Sequence, residues 1–301
     1  MTTLADGAKL IAGTSWMCAN SSLFEAVDYL VIDEAGQYGL ADAVAAAVCA
    51  RKGVILVGDP LQLPQVAQAR HEENSGCSAL EHILNEDSLI PADRGILLTV
   101  TRRMHPDVCS FISDHVYESR LTALPELANQ ATAIGTGIRS ISAEHAGRSA
   151  RSPEEAVLVR EHAAALVGTQ WVDAKGVAHE VTAKDIMVVA PYNAHVRTIR
   201  DELREDPRTA GVKVGTVDKF QGGEAPIVFF SMATSSEEDL PRDKEFLFSR
   251  NRLNVAISRA QCVALLVANP ELLNTRATTI EQMKLVSTLC AAWDTRSSLG
   301  S

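Results

Sequence analysis

Eight short apolar runs punctuate the chain, each stopping at a polar or glycine-bearing turn. They are KLIAG (9–13), YLVIDEAG (29–36), VILVGDP (54–60), ILLTVT (96–101), IMVVAPY (186–192), VKVGTV (212–217), PIVFFSMATS (226–235) and VALLVANP (263–270). Runs of this kind lack the in–out alternation of a half-exposed sheet and read as parallel strands covered on both faces. Segments of helical character lie between them at 41–52, 105–118, 153–168 and 193–206. Alternating strands and helices predict α/β architecture with right-handed crossovers. The polar, glycine-rich stretch 129–152 is predicted to hold an edge strand and a loop.

Composition narrows the functional classes. The 301 residues carry 28 Lys+Arg against 38 Asp+Glu, a formal charge of -10, so the chain does not coat nucleic acid or an anionic membrane through bulk charge. Any such contact has to be local. The six cysteines, Cys18, Cys49, Cys77, Cys109, Cys262 and Cys290, form no CxxC pair, which supports neither a zinc knuckle nor a disulfide framework and points to a reducing, cytoplasmic setting. No apolar run approaches the ~18 residues that a membrane helix needs.

Two strand ends carry chemistry. VIDEAGQ (31–37) delivers Asp33 and Glu34 to the C-terminal end of a buried run, the edge where open α/β sheets bind ligands. Adjacent carboxylates there suit phosphate transfer, one holding Mg²⁺ through oxygen and the next polarising a water. An isolated DE is more often a pair of solvated acids opening a turn. VILVGDPLQLPQV (54–66) follows by about 25 residues and presents Asp59 and Gln62 at the same edge, and a glutamine amide can donate to a phosphate oxygen while accepting from water. Further on, VTRRMHP (100–106) and RLNVAISRAQ (252–261) bear arginines whose forks match phosphate oxygens, and VGTVDKFQGGEAPIVFFSMATS (214–235) lies between them.

Together these blocks, in this order, resemble the superfamily 1 helicases, and within them the 1B branch; VGTVDKFQGGEAP, MATS and NRLNVA are similar to bacterial members in which a RecB-like nuclease precedes the helicase. The resemblance implies two RecA-like parallel-sheet domains of the P-loop NTPase type that use ATP and Mg²⁺ and act on single-stranded nucleic acid, DNA favoured over RNA, with 5′-to-3′ polarity. Carried over by position, it implies Asp33 as the Mg²⁺ ligand, Glu34 as the residue activating water, Gln62 as the γ-phosphate sensor, and Arg103 and Arg259 as arginine fingers. It implies Glu224 at the ribose hydroxyls, Gly223 for close backbone approach, and Arg102 stacking on the base where relatives place an aromatic ring. For nucleic acid it implies Thr14, Ser15, Pro191, Tyr192, Thr216, Thr234 and Ser235, hydroxyls and backbone amides that hold phosphates without a basic stripe. His195 and Ile257 stand where relatives often have Gln and Thr.

One motif is missing. No GxxxxGK[ST] occurs, and no glycine is directly followed by lysine. That loop cradles phosphates with its amides and reaches them with its lysine. The expectation is a chain that begins partway through the first RecA-like domain: residues 1–108 as its C-terminal part, 109–292 as the second domain and 293–301 as a disordered tail. The isolated chain is expected to lack ATPase activity, the cradle lying on a missing N-terminal segment that a nuclease domain could precede, or on a separate chain. The alternative is a non-catalytic module, descended from a helicase, that binds nucleic acid or a partner.

Overall fold

The computed structural model describes residues 9–63, 65, 76–85, 87, 89–220, 222–242 and 244–294; the tail from 295 lies outside them. The chain divides into two compact units, Met1–Leu97 and Leu98–Ser301. Among the described residues, no helix is long and apolar enough to cross a membrane. All six cysteines are free thiols.

The first unit contains α1 (Ser15–Cys18), β1 (Val27–Ile32), α2 (Leu40–Ala47), β2 (Ala50–Leu56) and α3 (Ala79–Leu84). β1 and β2 pair in parallel, with Val31 opposite Ile55 and Ile32 opposite Leu56. A small core of Ile32, Ala35, Ala43, Ala79, Leu80 and Leu84 joins this two-stranded sheet to α2 and α3. The α3 start is fixed by a capping box, in which the Ser78 hydroxyl accepts from Glu81 N and the Glu81 carboxylate accepts from Ser78 N.

Three expectations need correction here. KLIAG forms no strand, and Leu10 within it is exposed. The helix expected over 41–52 stops at Ala47, and Ala50 to Lys52 belong to β2, where Arg51 and Lys52 reach Asp28 on β1 at 2.9 and 3.5 Å. Cross-strand pairing overrides the helical preference of the alanines. The strands of this unit are also not covered on both faces: Tyr29, Val31, Val54 and Ile55 are exposed.

The second unit contains β3 (Val100–Thr101), α4 (Pro106–Val116), β4 (Thr122–Ala123), β5 (Ala131–Thr132), β6 (Gly137–Ser142), α5 (Pro153–Leu166), β7 (Gln170–Val172), β8 (Ala178–Glu180), β9 (Ile186–Ala190), α6 (Asn193–Leu203), β10 (Lys213–Thr216), β11 (Ala225–Ser231), α7 (Lys244–Leu247), α8 (Arg250–Ser258), β12 (Ala260–Ala268) and α9 (Ile280–Asp294). Five strands form one parallel sheet in the order β10-β9-β11-β12-β6. Of the ILLTVT run only Val100 and Thr101 are strand, paired with β4. The stretch 129–152 supplies β6, which forms one edge of the sheet.

Helices α5 and α6 pack on each other and on one face, burying Val159, Ala163, Leu166, Val196, Ile199 and Leu203 against Val188, Ile227, Phe229, Val263 and Leu265. Helices α4 and α8 pack together, α4 against β6 and β12 and α8 against β11 and β12. Every residue of β9 and of β11 is therefore buried. That explains why their sequences are continuously apolar. The α/β class expected from the alternating pattern is the class the structure has.

Strand order also fixes where a ligand site can form. From β9 the chain passes through α6 to β10 at the sheet edge, whereas from β11 it passes through α7 and α8 to β12 on the other side. The connections leaving β9 and β11 thus part in opposite directions. A crevice forms outside the carboxyl ends of adjacent strands where this happens.

Candidate functional site

In the first unit, the turns after β1 and β2 lie against each other. Ala35 N donates to Val57 O at 2.9 Å, and Val57 N donates to Ile32 O at 2.9 Å. The contact needs glycine on both sides: a Cβ on Gly58 would sit 2.8 Å from Ala35 N, and one on Gly36 would sit 2.8 Å from Asp59 O. Asp33 and Glu34 leave β1 at this edge, with Glu34 in a left-handed conformation at φ 54° and its N–H donating to Asp33 Oδ1 at 2.9 Å. Left-handed backbone is uncommon for a non-glycine residue and turns the chain sharply at the strand end. Asp59 accepts from Leu61 N and from the Gln62 side-chain amide at 2.9 and 3.0 Å. Asp33, Glu34, Asp59 and Gln62 are thus gathered at one sheet edge. Their carboxylate and amide oxygens are of the kind that suits Mg²⁺, although among the described residues no group of three or more His, Cys, Asp or Glu side chains is placed to hold a metal. Thr14 and Ser15 lie apart, at the start of the four-residue α1, where Thr14 is exposed and makes no capping bond.

In the second unit, the residues matched to nucleotide chemistry gather at the amino ends of β11 and β12. Arg103 Nε donates to Glu224 Oε2 at 2.7 Å, and its Nη1 donates to Ser258 O at 3.2 Å. The other Glu224 oxygen accepts from the Gln261 side chain at 2.9 Å. Arg259 is buried, with its guanidinium donating to Val255 O and to Gly223 O. Its own carbonyl accepts from Ala225 N, which locks β12 to β11 at this end. Arg103, Arg259, Gly223 and Glu224 are therefore brought together, and Gln261, quoted within its motif but given no role, is their unanticipated partner. Arg102, beside them in sequence, is exposed. The close approach at Gly223 is to the protein itself, since a Cβ there would meet Met187 Cε and Phe220 O at 3.2 Å. Gln221 of the same motif lies outside the described residues.

The residues matched to nucleic acid lie at the opposite, carboxyl edge of this sheet: Pro191 and Tyr192 after β9, Thr216 at the end of β10, and Thr234 and Ser235 after β11. Seven residues of β11 separate the two edges, a span of roughly 20 Å at 3.3 Å per residue. Pro191, Tyr192, Thr234 and Ser235 are buried. Thr234 Oγ1 donates to Ser149 O at 2.8 Å, and Ser235 Oγ accepts from Arg148 N at 2.9 Å, so these hydroxyls hold the 145–152 loop from beneath. Tyr192 stacks on Phe246 at 5.6 Å, and Arg242 and Arg252 lie 4.5 and 4.2 Å from the Phe246 ring.

A buried polar cluster under this edge went unread in the sequence. Glu155, in the first turn of α5, is fully buried. One carboxylate oxygen lies 3.0 Å from His145 Nε2; the other accepts from Ser231 Oγ at 2.5 Å and from Ala233 N at 2.9 Å. Burial raises the pKa of this carboxyl, but hydrogen bonds involving His145, His195 and Ser231 outweigh it and bring it down to about 2. The signal was present: Glu155 stands four and eight residues before the buried Val159 and Ala163, so a carboxylate occupies the apolar stripe of its helix.

A family model described as an AAA domain matches residues 76–271, and a second, also described as an AAA domain, matches residues 1–70. DNA-binding protein SMUBP-2 of Mesocricetus auratus is 30% identical over 271 residues, covering 83% of this chain and 26% of that protein. The DNA replication ATP-dependent helicase/nuclease DNA2 of Gallus gallus is 28% identical, covering 83% of this chain and 24% of that protein. The putative helicase mov-10-B.1 of Danio rerio is 27% identical, covering 82% and 28% respectively. The chain thus spans about a quarter of the length of these relatives. A model covering most of the chain, and relatives of this kind across nearly all of it, place the protein in the AAA-domain family of superfamily 1 helicases.

Proposed function

We propose that these residues are the helicase portion of an ATP-dependent enzyme that couples ATP hydrolysis to 5′-to-3′ movement along single-stranded nucleic acid, DNA in preference to RNA, in the cytoplasm. The observation that carries this reading is the separation within the second unit: arginines with a carboxylate at the amino edge of the sheet, and the strand-end motifs at the carboxyl switch point roughly 20 Å away. The 1–108 and 109–292 division is part of the same proposal.

Asp33 would hold Mg²⁺, with Glu34 as the base that orients water and Gln62 as the γ-phosphate sensor. When bound, Mg²⁺ neutralises charge on the phosphates. Arg103 and Arg259 supply cationic stabilisation, Glu224 and Gly223 take the ribose side, and Arg102 offers a guanidinium plane for the base. Thr14, Ser15, Pro191, Tyr192, Thr216, Thr234 and Ser235 line the nucleic-acid path. In its present geometry Arg103 is held by Glu224, so its action on a phosphate requires that it leave this partner.

In the natural polypeptide that carries these residues, single-stranded DNA should stimulate ATP hydrolysis. Glu34→Gln or Arg103→Ala should lower turnover by ~10²–10⁴ while changing DNA affinity little. Turnover unaffected by Glu34→Gln would remove the reading. The internal pairing of Arg103 and the burial of Arg259 favour a second one, a non-catalytic module in which both arginines are structural. On that reading DNA binding persists and no DNA-stimulated turnover is found.

A further inference from the structure

We propose that Glu155 is a positioning residue: its single buried carboxylate fixes the left-handed turn at Ala233 and clamps together the chain segments that meet at the carboxyl edge of the second unit's sheet. Four segments converge on it. They are the loop after β6, through His145; its own helix α5, capped by Ser152; the start of α6, through His195; and the end of β11, through Ser231 and Ala233. His195 comes within 3.6 Å of the carboxylate. Both histidine side chains and the Glu155 side chain are fully buried, so water supplies none of their hydrogen bonds from outside.

The hydrogen-bond directions leave little freedom. Ser152 N–H donates to His195 Nδ1 at 3.3 Å, so Nδ1 must carry a lone pair and the proton sits on Nε2. His195 Nε2 then donates to Ser231 Oγ at 2.7 Å, and the Ser231 hydroxyl donates in turn to Glu155 at 2.5 Å. On the other side, His145 Nε2 faces Glu155 at 3.0 Å while its Nδ1 meets Ser235 Oγ at 2.7 Å. Glu155 thus accepts from Ser231 and Ala233 with one oxygen and, when ionised, can accept from His145 with the other. Its place in the first turn of α5 helps, since the positive end of the helix dipole favours a carboxylate there.

The purpose of this arrangement lies at Ala233. It is a fully buried alanine at φ 70°, left-handed backbone that is unfavourable for a residue with a side chain. Its N–H is held by Glu155 at 2.9 Å. The residues that follow bond to the 145–152 loop, Thr234 through its hydroxyl to Ser149 O and Ser235 through its N–H to Arg148 O at 2.9 Å. One carboxylate therefore sets the path of the turn and of the loop resting on it. This inference rests on the reading that the turn lies on the nucleic-acid path.

The polarity makes a sharp distinction among substitutions. Glu155→Gln can keep an oxygen toward Ser231 and Ala233 by turning its amide nitrogen to His145, whose ring then accepts in its other tautomer, so the decisive variant is Glu155→Leu, which removes every acceptor. Ser231→Ala removes both bonds of the hydroxyl that joins Glu155 to His195, leaves the Ala233 N–H bond to the carboxylate, and serves where the Glu155 variant does not fold. His195→Gln can keep the sense of both bonds, amide oxygen accepting from Ser152 and amide nitrogen donating to Ser231; His195→Leu keeps neither. Ala233→Gly removes the conformational demand itself.

The test is amide hydrogen exchange on the 301-residue chain, paired with anisotropy of a fluorescein-labelled oligodeoxythymidine. Glu155→Leu should speed exchange at Ala233 and Ser235 by about tenfold, the effect of losing one buried hydrogen bond, and Ser231→Ala should do so by a smaller factor, with the β12 amides unchanged. Adding Ala233→Gly should restore protection at Ser235 in the Glu155→Leu background, and His195→Gln should match the native chain where His195→Leu does not. Oligonucleotide affinity should follow the exchange at Ser235. Exchange that stays native, or rises equally across β11 and β12, overturns the positioning role. Local loosening with native oligonucleotide affinity overturns its bearing on nucleic acid but leaves the helicase reading standing. If the native chain binds no oligonucleotide, the helicase reading fails at this edge, while the exchange data still decide whether Glu155 holds the turn.

Discussion

Gly58 and Gly36 are small because two turns share one space. Neither has the positive φ that makes a side chain conformationally costly, so the penalty for Gly58→Ala is steric: its methyl would press on Ala35 N and Gly36 N at 2.8 and 3.0 Å. We expect Gly58→Ala to destabilise the first unit by about 1–3 kcal/mol, the usual cost of overpacking, read as a lower urea midpoint of its transition. Glu155 gives a second expectation at this scale. Its carboxyl is depressed to about 2 in the folded chain from an ordinary 4.5, so it contributes stability that is present above pH 4.5 and lost as pH falls toward 2. The loss should be of order 3 kcal/mol, and urea midpoints measured across that window should fall less steeply in Glu155→Gln. The histidine at 195 has a physical place: its two nitrogens face a backbone donor and a hydroxyl.

At the level of elements, local pattern succeeded where burial was complete. β9, β11 and β12 are apolar and buried apart from Ser231 and the half-buried Gln261, so their positions could be read to within a few residues. Helices α4, α5 and α6 were equally legible, their starts marked by His105 and Pro106, by Ser152 and Pro153, and by the turn at Tyr192. The first unit resisted for the opposite reason. Its alanine-rich helix runs into β2 with only Val48 and Cys49 between, and nothing local distinguishes Ala47 from Ala50; the ion pairs from Arg51 and Lys52 to Asp28 decide the matter across 20-odd residues. The site was legible as motifs but not as bonds. Arg103 and Glu224 could be singled out from their neighbours, yet their mutual contact joins positions far apart in sequence. Because Arg103 and Glu224 are 30% and 47% exposed, a double-mutant cycle between them should give a coupling of only about 0.5–1 kcal/mol in stability.

At the level of the whole chain, the two units differ in how well they cover their apolar surface. Val31 and Val44 are 57% and 64% exposed in the first, whereas the strands at the centre of the second are closed on both faces. Limited proteolysis should cut first within 1–97 and leave a fragment of the second unit, and Val44→Lys should reduce self-association at high concentration while shifting stability by less than about 0.5 kcal/mol. Strand order in the second unit carries a consequence in time. β6 closes the sheet only by pairing with β12, Gly137 against Val263 and Ile138 against Ala264. A ribosome adding about 5–20 residues per second needs roughly 6–25 s to pass from one partner to the other. Throughout that interval β6 is finished but has no strand to join it to the sheet, and β11 is itself completed only about 30 residues before β12 begins. Protection of β6 on a growing chain should therefore appear abruptly, once β12 has emerged, and not strand by strand.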